Sequence, residues 1–171
     1  MSVSAPAAAT VDTARLVLTP LREADADAMV DVLADPRLHE FIGGRPVGLA
    51  ELRRRYAALV AGPGRPDEAW LNWIVRRRDD LAPIGTAQAT VVRRDGSWTA
   101  DVAWVIGVPW QGRGFAGEAA AALVGWLRGQ GVDPVSANIH PDHRASEAVA
   151  ARAGLVLTDD EVDGERVWRS G

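Results

Sequence analysis

Leucines 16 and 18 alternate with Arg15 and Val17 across residues 14–21, ARLVLTPL, and the run stops at Pro20. A repeat of two predicts a short strand. From 22 to 36 the repeat changes. Ala26, Met29, Val30 and Leu33 fall at helical spacing, and Pro36 ends the segment. A second helical face follows over 49–62, with Leu49, Leu52, Tyr56, Leu59 and Val60 in phase and Gly62 as its stop. The stretch between the two helices, HEFIGGRPVG, mixes aromatic, glycine and arginine residues and reads as a loop.

Three strands come next. They cover 69–80 with Trp70 and Trp73, 86–94, and 97–108, and Asp95-Gly96 supplies the hairpin turn between the last two. Tight turns make this an antiparallel meander. A helix over 115–131 carries Phe115, Ala119, Ala120, Leu123, Trp126 and Leu127 on one wide face, closed by Gly129 and Gly131. A strand (133–140), a helix (143–154) and two strands (155–159, 165–169) around Asp163-Gly164 complete the chain. The order is β-α-α-β-β-β-α-β-α-β-β. The lone helix between the third and fourth central strands calls for a right-handed crossover, which makes that pair parallel. The expected fold is a mixed, mostly antiparallel α/β sheet with helices on both faces.

Composition narrows the chemistry. The chain of 171 residues is short enough for one domain. We divide it into a flexible tail, 1–13, and a single domain, 14–171. Cysteine is absent, so disulfides, thiolate metal sites and cysteine nucleophiles are excluded. All 19 basic residues are arginine, so there is no phosphate-loop lysine and no lysine Schiff base. The net charge of −4 argues against a nucleic-acid surface. No apolar run is long enough for a membrane span. The small apolar start, MSVSAPAAATVDTA, lacks the basic region of a signal peptide, so a cytoplasmic location is expected. No metal site is expected, and the chain is taken as a monomer or homodimer.

The candidate chemistry centres on VPWQGRGFAGEAA, 108–120. GRGFAG satisfies a dinucleotide-binding turn. QGRGFA satisfies the Q/R-x-x-G-x-G/A loop of acetyl-CoA-dependent acetyltransferases. A plain glycine turn between strand and helix is the third reading. The dinucleotide reading suffers because Pro109, Trp110 and Gln111 separate the strand from the glycines. Too little chain also follows to finish a doubly wound fold. A glycine-rich loop feeding a helix leaves first-turn amides unpaired, and the helix dipole favours an anion there. Gly112 and Gly114 admit phosphate oxygens closely, and Arg113 can lie across them from outside.

The run from TAQATVV through DVAWVIGVPWQGRGFAGEAAAALVGWL to NIHPDHRASEAVAARAGLVL resembles the GNAT acetyltransferase superfamily. Together with ARLVLTPLREADAD it looks most like the RimJ/RimL branch, the ribosomal-protein N-terminal acetyltransferases. The resemblance implies a GNAT fold in which two parallel strands, DVAWVIGV and VSANIH, splay apart around acetyl-CoA. It implies that backbone near Ile106 and Val108 meets the pantetheine arm. Gln111, Gly112, Arg113, Gly114, Phe115 and Ala116 would hold the pyrophosphate. NIHPDHRAS looks like the family's P-x-N-x-x-S segment, with Ser146 at the serine and His143 in place of asparagine. His143 would then contact pantetheine amides or phosphates.

The implied reaction is attack of a primary amine on the acetyl thioester, the amine being a peptide N-terminus or a small molecule. A lysine-like amine is about one part in a few thousand neutral at pH 7, whereas an α-amine is roughly a tenth neutral. A base therefore matters more for alkyl amines. Asp101, at an acidic position of the branch, is the base candidate; a solvated strand start is the alternative. His140, at a strand end, is a second candidate base. The tyrosine that often protonates the leaving thiolate has no counterpart after Ser146, so Ser146, or a water it holds, takes that role. Phe41, Trp70 and Trp73 are the candidate acceptor-binding residues. A CoA-binding module without transfer activity is the competing function.

Overall fold

The computed structural model describes residues 4–41 and 44–171. Eight strands form one sheet: β1 (Val11–Asp12), β2 (Leu16–Pro20), β3 (Glu68–Arg77), β4 (Pro83–Arg94), β5 (Ser97–Ile106), β6 (Val135–Ile139), β7 (Leu155–Val162) and β8 (Glu165–Ser170). Their spatial order is β1-β2-β3-β4-β5-β6-β8-β7. Every neighbouring pair is antiparallel except β5–β6, which is parallel as the crossover requires. Four helices, α1 (Ala26–Val32), α2 (Leu49–Ala61), α3 (Phe115–Gly129) and α4 (Arg144–Arg152), cover the sheet. The fold is the mixed, mostly antiparallel α/β architecture expected from the residue pattern, with the parallel pair that the resemblance also implies.

The alternation of burial explains the layers. Trp98, Ala100 and Val102 of β5 face Leu123, Val124 and Leu127 of α3, while Asp101 and Ala103 between them are exposed. Small residues at 117, 119 and 120 let the first turns of α3 lie close on the sheet. A second, smaller core joins α1, α2 and Ile74 through Met29, Leu52 and Tyr56. Among the described residues no helix is long and apolar enough to cross a membrane.

Three details depart from the sequence reading. Of the flexible tail expected over 1–13, the described part is docked: Ala5, Ala8 and Val11 pack on the core, and the Trp73 indole donates to the Ala9 carbonyl at 2.7 Å. The helix expected over 22–36 is a 3₁₀ turn (Glu23–Asp25) followed by α1, and Pro36 opens another 3₁₀ turn, Pro36–His39. The buried Asp25 carboxylate accounts for the first break, because it accepts from the Arg22 amide (2.8 Å) and the Arg76 guanidinium (2.9 Å). β7 also runs on to Val162, across a bulge between Leu157 and Glu161.

Candidate active site

The site begins where two strands part. β5 and β6 pair at only two rungs, Ala100–Val135 and Asp101–Ser136. β6 then follows β8 as far as the Ile139–Arg166 rung, while β5 stays with β4 to the Gly85–Ile106 rung. The Gly107 amide donates to the Ile84 carbonyl at 2.7 Å. Alternation along an antiparallel ladder therefore aims the main-chain groups of Trp104 and Ile106 away from β4, into the gap. The Ile106 carbonyl is taken by the Gln111 side chain at 2.9 Å. Its amide and both main-chain groups of Trp104 are left facing the opening. Val108 lies past the strand end, in a 3₁₀ turn where its carbonyl accepts from the Gln111 amide at 3.2 Å. The strand edge expected near Ile106 and Val108 is thus formed by Trp104 and Ile106.

Beyond β5 the chain makes the glycine loop. Gly112 (φ +76°) and Gly114 (φ +80°) both sit in the left-handed region, where a side chain is strained. The amides of residues 112–117 donate to no other protein atom among the described residues; the first paired amide is that of Glu118, bonded to the Gly114 carbonyl at 3.1 Å. The loop's carbonyls, by contrast, are tied down. Arg15 holds that of Arg113 at 3.0 Å and Arg152 that of Gly114 at 3.3 Å. The Arg15 guanidinium also lies over the Phe115 ring, 4.3 Å from its centroid, and binds Glu118 at 2.8 Å. Burial works against the Glu118 charge, yet the bonds from Thr13 and Arg15 outweigh it and keep its pKa below the usual glutamate value. With carbonyls fixed from behind and amides bare in front, the loop and helix start form a cradle for an anion. The residues present fit a diphosphate.

A cleft of about 600 Å³ runs from this cradle along β5 to the face of α4. A smaller cavity of about 70 Å³ occupies the gap between β5 and β6. Four residues line both: Phe41, Trp104, His143 and Ser146. At that junction the Phe41 ring stacks on His143, with centroids 4.4 Å apart and planes at 21°, and meets His140 at 5.4 Å. His143 Nε2 lies 2.9 Å from Ser146 Oγ. Burial, then the neighbouring His140, pushes the His143 pKa below the ordinary histidine value, against the pull of Glu40 and Glu147. His140 Nδ1 accepts from the Asp142 amide at 3.1 Å, and this turn carries the chain from β6 into α4.

The structure brings together Phe41, Ile106, His140, His143 and Ser146 with the loop residues Gln111, Gly112, Gly114, Phe115 and Ala116 around the two connected cavities. It does not bring the others there. Trp73 is fully buried in the core, with its ring edge-on to Trp126 at 5.4 Å. Trp70 lines neither cavity, and its indole donates to Glu68 at 2.8 Å. The expected pair of acceptor-side tryptophans is therefore corrected: one indole is core and the other binds the half-buried Glu68 carboxylate, away from both cavities. Asp101 is exposed at the last β5–β6 rung and lines neither cavity. Partial burial against the sheet raises its pKa, and Arg94 and Arg169 oppose the shift. Arg113 is exposed and outside the lining.

Sequence reading missed Trp104, Arg152 and Glu165. Arg152 lines the cleft, packed so tightly on Gly117 that a Cβ there would lie 2.8 Å from its guanidinium. Its spacing from Ala145 and Val149, one helical stripe, was the available signal. Glu165 and Glu40 reach the two cavities and make no side-chain hydrogen bond or ion pair among the described residues. Glu165 comes from β8, far along the chain, and no local pattern marks it.

The acetyltransferase (GNAT) domain family matches residues 15–156. An acetyltransferase from Agrobacterium tumefaciens aligns over 98% of this chain and 96% of its own at 26% identity, with a TM-score of 0.71. RimL, a ribosomal L7/L12 alpha-N-protein acetyltransferase in complex with coenzyme A, aligns over 94% and 97% at 15% identity, TM-score 0.78. AAC(6')-Ib, in complex with paromomycin and acetyl-CoA, aligns over 90% and 91% at 19% identity, TM-score 0.72. No curated protein matches the chain.

Proposed function

The chain belongs to the GNAT acetyltransferase family, an acetyl-CoA-dependent N-acetyltransferase, and from that premise we propose that it acetylates a primary amine by direct attack within a ternary complex. The amine is a peptide N-terminus, as in the RimJ/RimL branch, or a small molecule. One observation carries the reading: the large cleft and the small gap meet at Phe41, Trp104, His143 and Ser146. Acetyl-CoA enters along the cleft, with its diphosphate on the amides of residues 112–117 and its pantetheine arm beside Trp104 and Ile106. The acceptor enters through the gap. Holding both reactants at one junction supplies most of what this reaction needs.

The remaining groups follow from position. Glu165 at the gap and Glu40 on the adjoining cleft wall, neither in a side-chain hydrogen bond or ion pair among the described residues, attract an ammonium to the junction. His140 stands at the rim of the gap, where it can take the first proton, that of the incoming ammonium, before attack, directly or through water. Asp101 reaches the amine only through ordered water, from the sheet face just before the strands part. Asp101→Asn is therefore expected to lower kcat/KM by less than about tenfold, well under the 10²- to 10⁴-fold of a direct general base. An unchanged profile across pH removes Asp101 from the mechanism.

A CoA-binding module without transfer activity remains the second reading, because the chain's one tyrosine is misplaced. Tyr56 is buried in the smaller core beneath α2, and burial followed by the nearby Asp25 charge pushes its pKa up to about 12. It cannot protonate a leaving group in the cleft. Release of free thiol from acetyl-CoA over a panel of peptide and alkyl amines separates the two. Amine-dependent thiol release supports the transferase, and acetyl-CoA binding with no release from any amine supports the module.

A further inference from the structure

Resting on the transferase reading, we propose that His143 and Ser146 form a proton relay that carries the proton lost by the attacking amine to the departing thiolate. Ser146 Oγ and His143 Nε2 are 2.9 Å apart, and both residues line the coenzyme cleft and the acceptor gap. The pair therefore spans the line between incoming nitrogen and outgoing sulfur. Phe41 stacks on the imidazole and fixes its plane. His143 Nδ1 makes no hydrogen bond among the described residues and is free to accept.

The transfer balances without any further reactant. The amine nitrogen bonds to the acetyl carbon and the carbon–sulfur bond breaks. The proton on the new ammonium goes to Nδ1, the Nε2 proton goes to Ser146 Oγ, and the serine hydroxyl proton goes to sulfur. The imidazole returns neutral, with its proton moved from Nε2 to Nδ1, and resets by exchange with water. A serine alone is too weak an acid to protonate a thiolate; backed by an imidazole that is itself being protonated, it can. An asparagine in this position could bind pantetheine but could not pass a proton through, because it has no second nitrogen.

The relay requires a neutral imidazole with Nδ1 bare. Burial favours the neutral form, helped by His140 at the end of β6 and opposed by Glu40, from the segment after α1, and Glu147 on α4. Asp142, in the turn before His143, lies 3.9 Å from His140. Protonation of His143 as pH falls through its lowered pKa, under the ordinary histidine value, blocks Nδ1 and stops the relay.

Two measurements test this. Long-range 1H–15N NMR of the apo protein, which has only three histidines, reads the tautomer directly. A proton on Nε2 supports the relay, and a proton on Nδ1 overturns it. In kinetics with acetyl-CoA and the best acceptor of the amine panel, His143→Asn and Ser146→Ala should each lower kcat about 10²-fold. Calorimetric CoA affinity should stay within about threefold. The double variant should be no slower than either single one, since one break stops the chain. The wild type should show an acid limb in kcat, lying below the ordinary histidine range, that His143→Asn lacks. Full activity in His143→Asn overturns the relay and leaves the transferase reading intact. A wild type that releases no thiol with any amine overturns both.

Discussion

On the part of the cleft assigned to the diphosphate, the groups that face the opening are main-chain amides from one six-residue run, 112–117. On the acceptor side they are side chains gathered from across the chain, from Phe41 to Glu165. The first surface is a property of local backbone shape. Two positive-φ glycines, a helix start and two arginines that pull the carbonyls back are sufficient to build it. The second exists only because β6 leaves β5 after two rungs and because β8 inserts between β6 and β7. Outside its own run the loop needs only Arg15 and Arg152, whereas the acceptor side shifts with any element that contributes to it.

Gly114→Val strikes the local half hardest. Its Cβ would stand 3.3 Å from Arg152 and 3.4 Å from Arg15, and valine at φ +80° is strained by about 1–3 kcal/mol. Turning even two amides from a diphosphate forfeits about 1.5–3 kcal/mol each. Calorimetry should show CoA affinity down by about 10²-fold or more. The acceptor KM at saturating acetyl-CoA should hardly move. A parallel loss in both would mean that the two halves are not separable.

Trp73→Ala sharpens the comparison from outside both halves. The indole fills the core and holds the Ala9 carbonyl. Truncation should cost about 3–5 kcal/mol and lower Tm by about 10 °C. kcat and both KM values below the new Tm should stay within about twofold of wild type. A selective rise in acceptor KM would return Trp73 to the acceptor side.

Phe41→Ala tests the dispersed half with a smaller effect. Its stack on His143 is worth about 0.5–1.5 kcal/mol beyond the area buried. The acceptor KM should rise about three- to tenfold, while the affinity for CoA alone changes less. Equal losses in both would place Phe41 with the coenzyme instead.

The same contrast explains what the sequence could reveal. The order of strands and helices, the parallel pair and the glycine loop all depend on short-range patterns: a repeat of two or of 3.6, a turn dipeptide, glycines before a helix. His143 and Ser146 were legible for that reason, being three residues apart at a helix start. Trp70 and Trp73 misled, because aromatic residues on a strand carry no mark of which face they take. Trp73 faces α3 and packs against Trp126, a fact set by β2 and β4 on either side of it. Glu165 was invisible because only the β6–β8 pairing brings it to the gap. Asp101 stands at the last β5–β6 rung, exposed and one step short of Val102 and Ala103, which line the gap.

A backbone amide 1H–15N titration with acetyl-CoA tests the central claim most directly. Saturable shifts concentrated at residues 112–117, with Trp104 and Ile106 following, are the predicted result. A titration that leaves those amides unmoved, or that shifts only residues outside the cleft, would contradict it.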